Sequence, residues 1–136
     1  MDASPSAPAD ARPTTAAAEP PTFETVRLSQ LLQLDIDALP YGVVIIDENG
    51  VCKGYNEIEG QRAGVDKTRP LQRVFFRDVA PCMNNHLVAH RLLRGDDALD
   101  TTLEYVLTLK MFPVPVTLRL LHDADCGLRA LLVKWA

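Results

Sequence analysis

The chain has little of several things that would announce a function. Cysteine is scarce: Cys52, Cys82 and Cys126 make an odd count with no C-x-x-C pair. That implies neither a disulfide framework nor a zinc site, and at least one thiol stays free. Clusters of Lys and Arg are missing. The formal net charge is −4 and the pI near 5.3, with basic residues scattered singly, so no surface for a nucleic-acid backbone is expected. No apolar run approaches bilayer length, and the N-terminus lacks the charged start and apolar centre of a secretory signal. The expectation is a soluble cytoplasmic protein with no membrane partner. What is present is enough for one compact unit with a real core, since 47% of 136 residues are apolar.

Residues 1–22 hold five of the ten prolines and seven alanines, with Met1 as the only large apolar side chain. Such a segment cannot bury enough surface to offset its ordering entropy, and a disordered leader is expected. From Phe23 to residue 38 a mixed apolar pattern, Val26, Leu28, Leu31, Leu32, Leu34 and Ile36, is too short to fold alone. Ser29 is placed to cap a helix over Gln30 to Asp37, and the piece reads as a cap lying on a main domain that runs from Leu39 to the end.

The main domain begins with "YGVVIIDENGVCKGYN", two β-prone runs around an Asn49-Gly50 turn, giving strands at Gly42 to Asp47 and Val51 to Tyr55. Short helical turns and loops follow as far as Pro81. "NNHLVAHRLLRG" predicts an amphipathic helix capped by Asn84 or Asn85 and closed by Gly95. Three strand-like runs end the chain, Thr101 to Met111, Val114 to His122 and Leu128 to Trp135, separated by Phe112-Pro113 and "DADCG". Leu103, Tyr105, Leu107 and Leu109 alternate with more polar positions, so one sheet face looks covered and the other more solvated. The order predicts an α+β domain: a five-stranded antiparallel sheet with flanking short helices and an N-terminal cap.

The chemistry concentrates in two stretches. In "FFRDVAPCMNNH", Phe75 to His86, a proline fixes Cys82 at the edge of a polar loop, a setting suited to covalent chemistry. In "GYNEIEG", Gly54 to Gly60, Tyr55 ends the second strand-like run and Glu59 lies in the short helical turns and loops that follow. Taken alone, Cys82 is a structural thiol, Glu59 a solvated helix residue and Tyr55 a core aromatic. His86 and His90, spaced by four residues from each other and from Cys82, have no third orienting residue or further ligand, and read as a solvated helix face. Trp135 reads as a packing anchor for the last strand.

Together the two motifs resemble the photoactive yellow protein family, blue-light sensors of the PAS fold. The resemblance runs from about Leu39 to Trp135. "GYNEIEG" is similar to the family's Tyr-Asn-x-x-Glu-Gly segment and "FFRDVAPC" to its chromophore-attachment segment. It implies p-coumaric acid (4-hydroxycinnamic acid) bound to Cys82 as a thioester, with Tyr55 and Glu59 donating to the phenolic oxygen and Tyr105 and Met111 lining the pocket. It also implies light-driven isomerisation, proton transfer from the glutamic acid, partial release of the cap, no enzymatic turnover, and an unspecified downstream signalling protein. Three positions depart from the family pattern: Ala63 where a threonine supports the tyrosine, Val65 where an arginine shields the pocket, and Leu107 in place of an aromatic. Losing the hydroxyl that supports the tyrosine removes about 1 kcal/mol net, enough to alter tuning and too little to abolish binding.

Elementary chemistry supports those donor roles. A phenol with a free pKa near about 10 stays ionised at neutral pH only under strong donors, and a carboxylate cannot donate. Glu59 must therefore be buried and protonated. Two other readings stay open at this point: a PAS-type ligand-binding or interaction module that does not use light, and a cysteine-dependent acyl-transfer enzyme.

Overall fold

A computed structural model describes residues 20–95, 97–109 and 111–135. The expected disordered leader lies outside the described residues except for its last three. The chain forms a five-stranded antiparallel sheet from β1 (Gly42–Asp47), β2 (Cys52–Tyr55), β3 (Leu99–Leu109), β4 (Phe112–His122) and β5 (Leu128–Trp135), in the order β2-β1-β5-β4-β3. The helices are α1 (Leu28–Leu31), α2 (Glu57–Ala63) and α3 (Ala89–Leu93), with short turns of tighter or wider pitch between them. No helix among the described residues is long and apolar enough to cross a membrane.

The central strands β1 and β5 are buried on both faces, so their sequences "GVVIID" and "LRALLVKW" read as continuous apolar runs. One face carries Val44, Ile46, Leu118, Leu120, Leu131 and Val133 against the helical side. The other carries Val43, Ile45, Leu121, Ala130 and Leu132, which Phe23, Val26, Leu28 and Leu31 cover. The expectation of one solvated face therefore needs correcting. Strict alternation marks only the edge strand β3, and the cap fills the opposite face of the sheet.

Arg119 anchors that cap. It projects from β4, 5% exposed, donates from Nη1 to the carbonyls of Phe23 and Val26, and forms a two-pronged pair with Asp100 at 2.9 Å. Tyr41 adds an edge-on contact with Phe23 and a hydrogen bond to the Pro21 carbonyl. The cap is not one helix over Gln30 to Asp37. Helix α1 stops at Leu31, and Asp35 starts a separate turn, Ile36–Ala38, by accepting from the Asp37 amide.

Other local expectations shift for identifiable reasons. In the β1–β2 hairpin only Gly50 has positive φ, +81°, while the Asp47 carboxylate accepts from the Asn49 and Val51 amides and widens the turn. Val51 forms a bridge with Val74, while its carbonyl still accepts from the Asp47 amide of β1. Asn85 caps as expected, accepting from the Leu87 and Val88 amides, but the helix it opens begins only at Ala89 and leaves Leu87 exposed. Phe112 and Pro113 lie inside β4 rather than in a turn, with Met111 taking the left-handed conformation at φ 73° instead. Pro113 and Pro115 are tolerated because β4 pairs with β5 only from Val116 onward, so their missing amides cost no ladder bond on that side.

Candidate functional site

The residues around Glu59 are placed by a single asparagine. Asn56 is fully buried; its Oδ1 accepts from the Val43 and Glu59 amides, and its Nδ2 donates to the carbonyls of Ile36 and Tyr41. It thus caps α2 and at the same time ties that helix to β1 and to the cap. Gly64, in the left-handed conformation at φ 75°, ends the helix. Between these caps Glu59 and Gly60 face inward. A side chain on Gly60 would strike the Val65 carbonyl at 2.8 Å, which fixes how closely α2 and the following loop approach.

The loop bearing Cys82 is built differently. Phe75–Val79 forms one π-helical turn, closed by the Ala80 amide on the Phe75 carbonyl, and Pro81–Met83 forms a tight turn with proline at its first position, where no amide is needed. Cys82 sits in that turn, half-buried. Its carbonyl accepts from the Tyr105 hydroxyl at 2.7 Å, and Asn85 Nδ2 donates to the same hydroxyl oxygen at 2.6 Å.

Between α2, this loop and the ends of β3 and β5 lies a cavity of about 150 Å³. That is small beside the roughly 300–1,000 Å³ of pockets for drug-sized ligands, and it restricts the occupant to a small group. Cys82, Tyr55, Glu59, Ala63, Val65 and Leu107 all line it. Tyr105 and Met111 do not. Tyr105 holds the turn bearing Cys82 through the Cys82 carbonyl, and Met111, 90% exposed, lies in the β3–β4 connection away from the cavity. The expectation that Met111 lines the pocket is corrected on that ground: its left-handed backbone places it beyond the last paired residues of the hairpin.

The electrostatics are set by burial. Glu59 is 4% exposed; its desolvated carboxyl is pushed up to about 7, although a hydrogen bond from Trp135 acts in the opposite direction. Tyr55 is raised well above the ordinary phenol range, first by burial and then by the neighbouring Glu59 and Cys52, so it remains a hydroxyl donor at any physiological pH. Cys52, buried at the start of β2, is pushed up to about 11 by desolvation and carries no thiolate. Among the described residues no three His, Cys, Asp or Glu side chains gather as a metal site.

Gly42 supplies the room that Glu59 needs. A methyl group there would overlap Glu59 Oε1, and would lie 3.0 Å from its Cδ and 3.2 Å from Val133 Cβ. Gly42→Ala is therefore expected to cost about 1–3 kcal/mol through overpacking. Urea unfolding checks this, and an unchanged midpoint would show that the carboxyl is free to move aside.

Reasoning from sequence missed the polar role of Trp135, whose Nε1 donates to Glu59 Oε1 at 2.9 Å and whose ring lines the cavity. A signal was available: position 135 shares the parity of the buried Leu131 and Val133, which places it on the cavity face of β5.

A five-stranded antiparallel sheet in this order, with short helices enclosing a cavity over one face, defines a PAS domain. A PAS domain of an HTR-like protein from Haloarcula marismortui superposes with a TM-score of 0.56 at 17% identity, covering 78% of this chain and 94% of that one. A photoactive yellow protein domain from a sensor histidine kinase of Rhodospirillum centenum superposes better, with a TM-score of 0.68 at 31% identity, covering 74% and 90%. By sequence, the photoactive yellow protein of Rhodobacter capsulatus is 30% identical, with 74% of this chain matching 82% of that protein. That of Rhodothalassium salexigens is 32% identical over 60% of this chain and just under two thirds, 66%, of that relative. The chain belongs to the photoactive yellow protein family. No protein-family model matches it.

Proposed function

We propose that the protein is a blue-light photoreceptor that holds p-coumaric acid as a thioester on Cys82 and passes a conformational signal to a downstream protein. One observation carries this reading: a buried carboxyl with its pKa pushed up to about 7 lines the same small cavity as a loop thiol. A site for a neutral apolar ligand has no use for a desolvated acid, whereas a phenolate oxygen requires one. When bound, the group supplies visible absorption, a double bond that isomerises in light, and a basic phenolate oxygen.

The chain's own residues do the rest. Cys82 Sγ holds the acyl carbon, and Tyr105 steadies the backbone of the attachment turn through the Cys82 carbonyl. Tyr55 and protonated Glu59 donate to the phenolic oxygen. Loss of the Glu59 proton leaves a carboxylate with almost no solvent, a desolvation cost of several kcal/mol. The helix bearing that charge is joined to the cap: Asn56 Nδ2 donates to the Ile36 carbonyl and Asp37 accepts from the Glu57 amide at 2.8 Å. Release of the cap is the corresponding output, since these bonds tie the cap directly to the helix that bears the new charge. Activated p-coumaric acid added to the purified apoprotein tests the reading by intact mass and visible absorption. A one-to-one adduct with a phenolate band that bleaches in blue light is the expected result. An adduct showing only a neutral-phenol spectrum that light leaves unchanged contradicts it and favours a module that does not use light.

A further inference from the structure

The C-terminal strand brings the sole tryptophan to the acid on which the proposed function depends. β5 pairs with β1 and β4 along its length, and Val116 opposite Trp135 fixes the register that sets the indole beside α2. The contact is directional. Indole Nε1–H can only donate, so the oxygen it touches, Glu59 Oε1 at 2.9 Å, acts as an acceptor. The same oxygen lies against Gly42, where a side chain would overlap it, so Oε1 is confined between the β1 backbone and the indole. Oε2 has no hydrogen-bond partner among the described residues, and Glu59 lines the cavity.

We propose that Trp135 is a positioning residue for Glu59, reserving Oε1 as the carbonyl-type acceptor and so placing the acid proton on Oε2, the oxygen left for a ligand in the cavity. The inference rests on the reading of Glu59 as the donor to a phenolate, but the positioning itself is a property of the apoprotein. It has two consequences. While the acid is neutral, the indole selects one of two otherwise equivalent protonated forms. Once the proton leaves, the same N–H becomes a charge-assisted donor to the carboxylate and stabilises the ionised form. Trp135 therefore eases proton release and limits the electrostatic force that follows it. Ala63 and Val65 offer neither hydroxyl nor guanidinium to the cavity, and among the described residues Trp135 is the side chain that hydrogen-bonds the Glu59 carboxyl.

The groups facing Glu59 that titrate are Tyr55 from β2 and Cys82 from the attachment turn, with Cys52 beneath Tyr55; the latter's thiol and the Tyr55 hydroxyl are held protonated well above neutrality. A transition near neutral pH that vanishes in Glu59→Gln is therefore distinguishable from those of Tyr55 and Cys52. Two measurements on the apoprotein test the proposal. In the first, the carboxyl of Glu59 is titrated by ¹³C NMR in wild type and in Trp135→Phe, which keeps an aromatic ring and removes the donor. Loss of a hydrogen bond to a charged group is expected to raise the midpoint by about one pH unit or more, and the carboxyl C=O stretch should move to higher wavenumber. An unchanged midpoint and stretch would overturn the assignment. In the second, which does not require the variant to fold, wild-type indole fluorescence is followed from pH 5 to pH 9. A step at the Glu59 midpoint that vanishes in Glu59→Gln supports the contact. A flat profile, or a step that persists in Glu59→Gln, contradicts it. Failure of chromophore attachment leaves both readouts intact, so the two readings fail separately.

Discussion

Cys82→Ala is expected to eliminate covalent loading entirely: activated p-coumaric acid adds one acyl group to the wild type and none to the variant, and no visible band develops. The reason is chemical rather than steric, since alanine at a half-buried position beside Pro81 disturbs little packing while removing the only thiol that lines the cavity among the described residues. Cys52 is fully buried with a pKa pushed up to about 11, and Cys126 packs with the cap cluster on the opposite face of the sheet. Neither thiol is placed to substitute. Intact-mass measurement with peptide mapping decides the matter. An adduct that survives in the variant or maps to Cys52 or Cys126 would refute the attachment.

The second large effect is in Glu59→Gln. Glutamine keeps the shape, the acceptor for Trp135 and a donor for the cavity, but it has no proton to release. In the wild type the folded-state pKa, about 7, lies above the ordinary glutamic acid value of 4.5, so the folded protein holds a proton that the unfolded chain gives up. The stability due to the neutral acid is whole below pH about 4.5 and is lost as pH rises through about 7, a decline of roughly 3 kcal/mol at ~1.4 kcal/mol per unit. The variant lacks this decline. Urea unfolding of the two apoproteins over the same pH range should therefore converge in acid and diverge above neutrality, with the variant the more stable. Parallel profiles would mean that Glu59 is solvated. In the loaded protein the same change should shift the absorption band and suppress proton transfer after illumination.

The strands were legible because alternation and β-branched runs report burial directly, and Leu128 to Trp135 was read to the residue. What remained hidden depended on contacts between distant segments. Nothing local in "LSQLLQLDID" says that the Asp35 side chain will start a new turn, or that Arg119, more than ninety residues away, will hold the Phe23 and Val26 carbonyls. The π-helical turn at Phe75–Val79 has no periodic signature in five residues. In the site, it was the resemblance of "GYNEIEG" and "FFRDVAPC" to the family's segments that pointed to Tyr55, Glu59 and Cys82, since each residue taken alone reads as an ordinary structural one. Tyr105 was misassigned to the wall, since its strand parity is right for the cavity side while its hydroxyl reaches the Cys82 carbonyl. Trp135 was passed over for the converse reason: a tryptophan near a chain end is usually explained by packing alone, and its polar contact lies on another element.

The central claim is that Glu59 is a neutral acid that gives up its proton when the bound group absorbs light. Infrared difference spectroscopy of the loaded protein, recorded before and during blue illumination, tests it directly. The expected result is the disappearance of one protonated-carboxyl C=O band together with the rise of a carboxylate band, both absent in Glu59→Gln. Bleaching of the visible absorption with no change in any carboxyl band, or with a carboxyl band that persists in Glu59→Gln, would contradict the account.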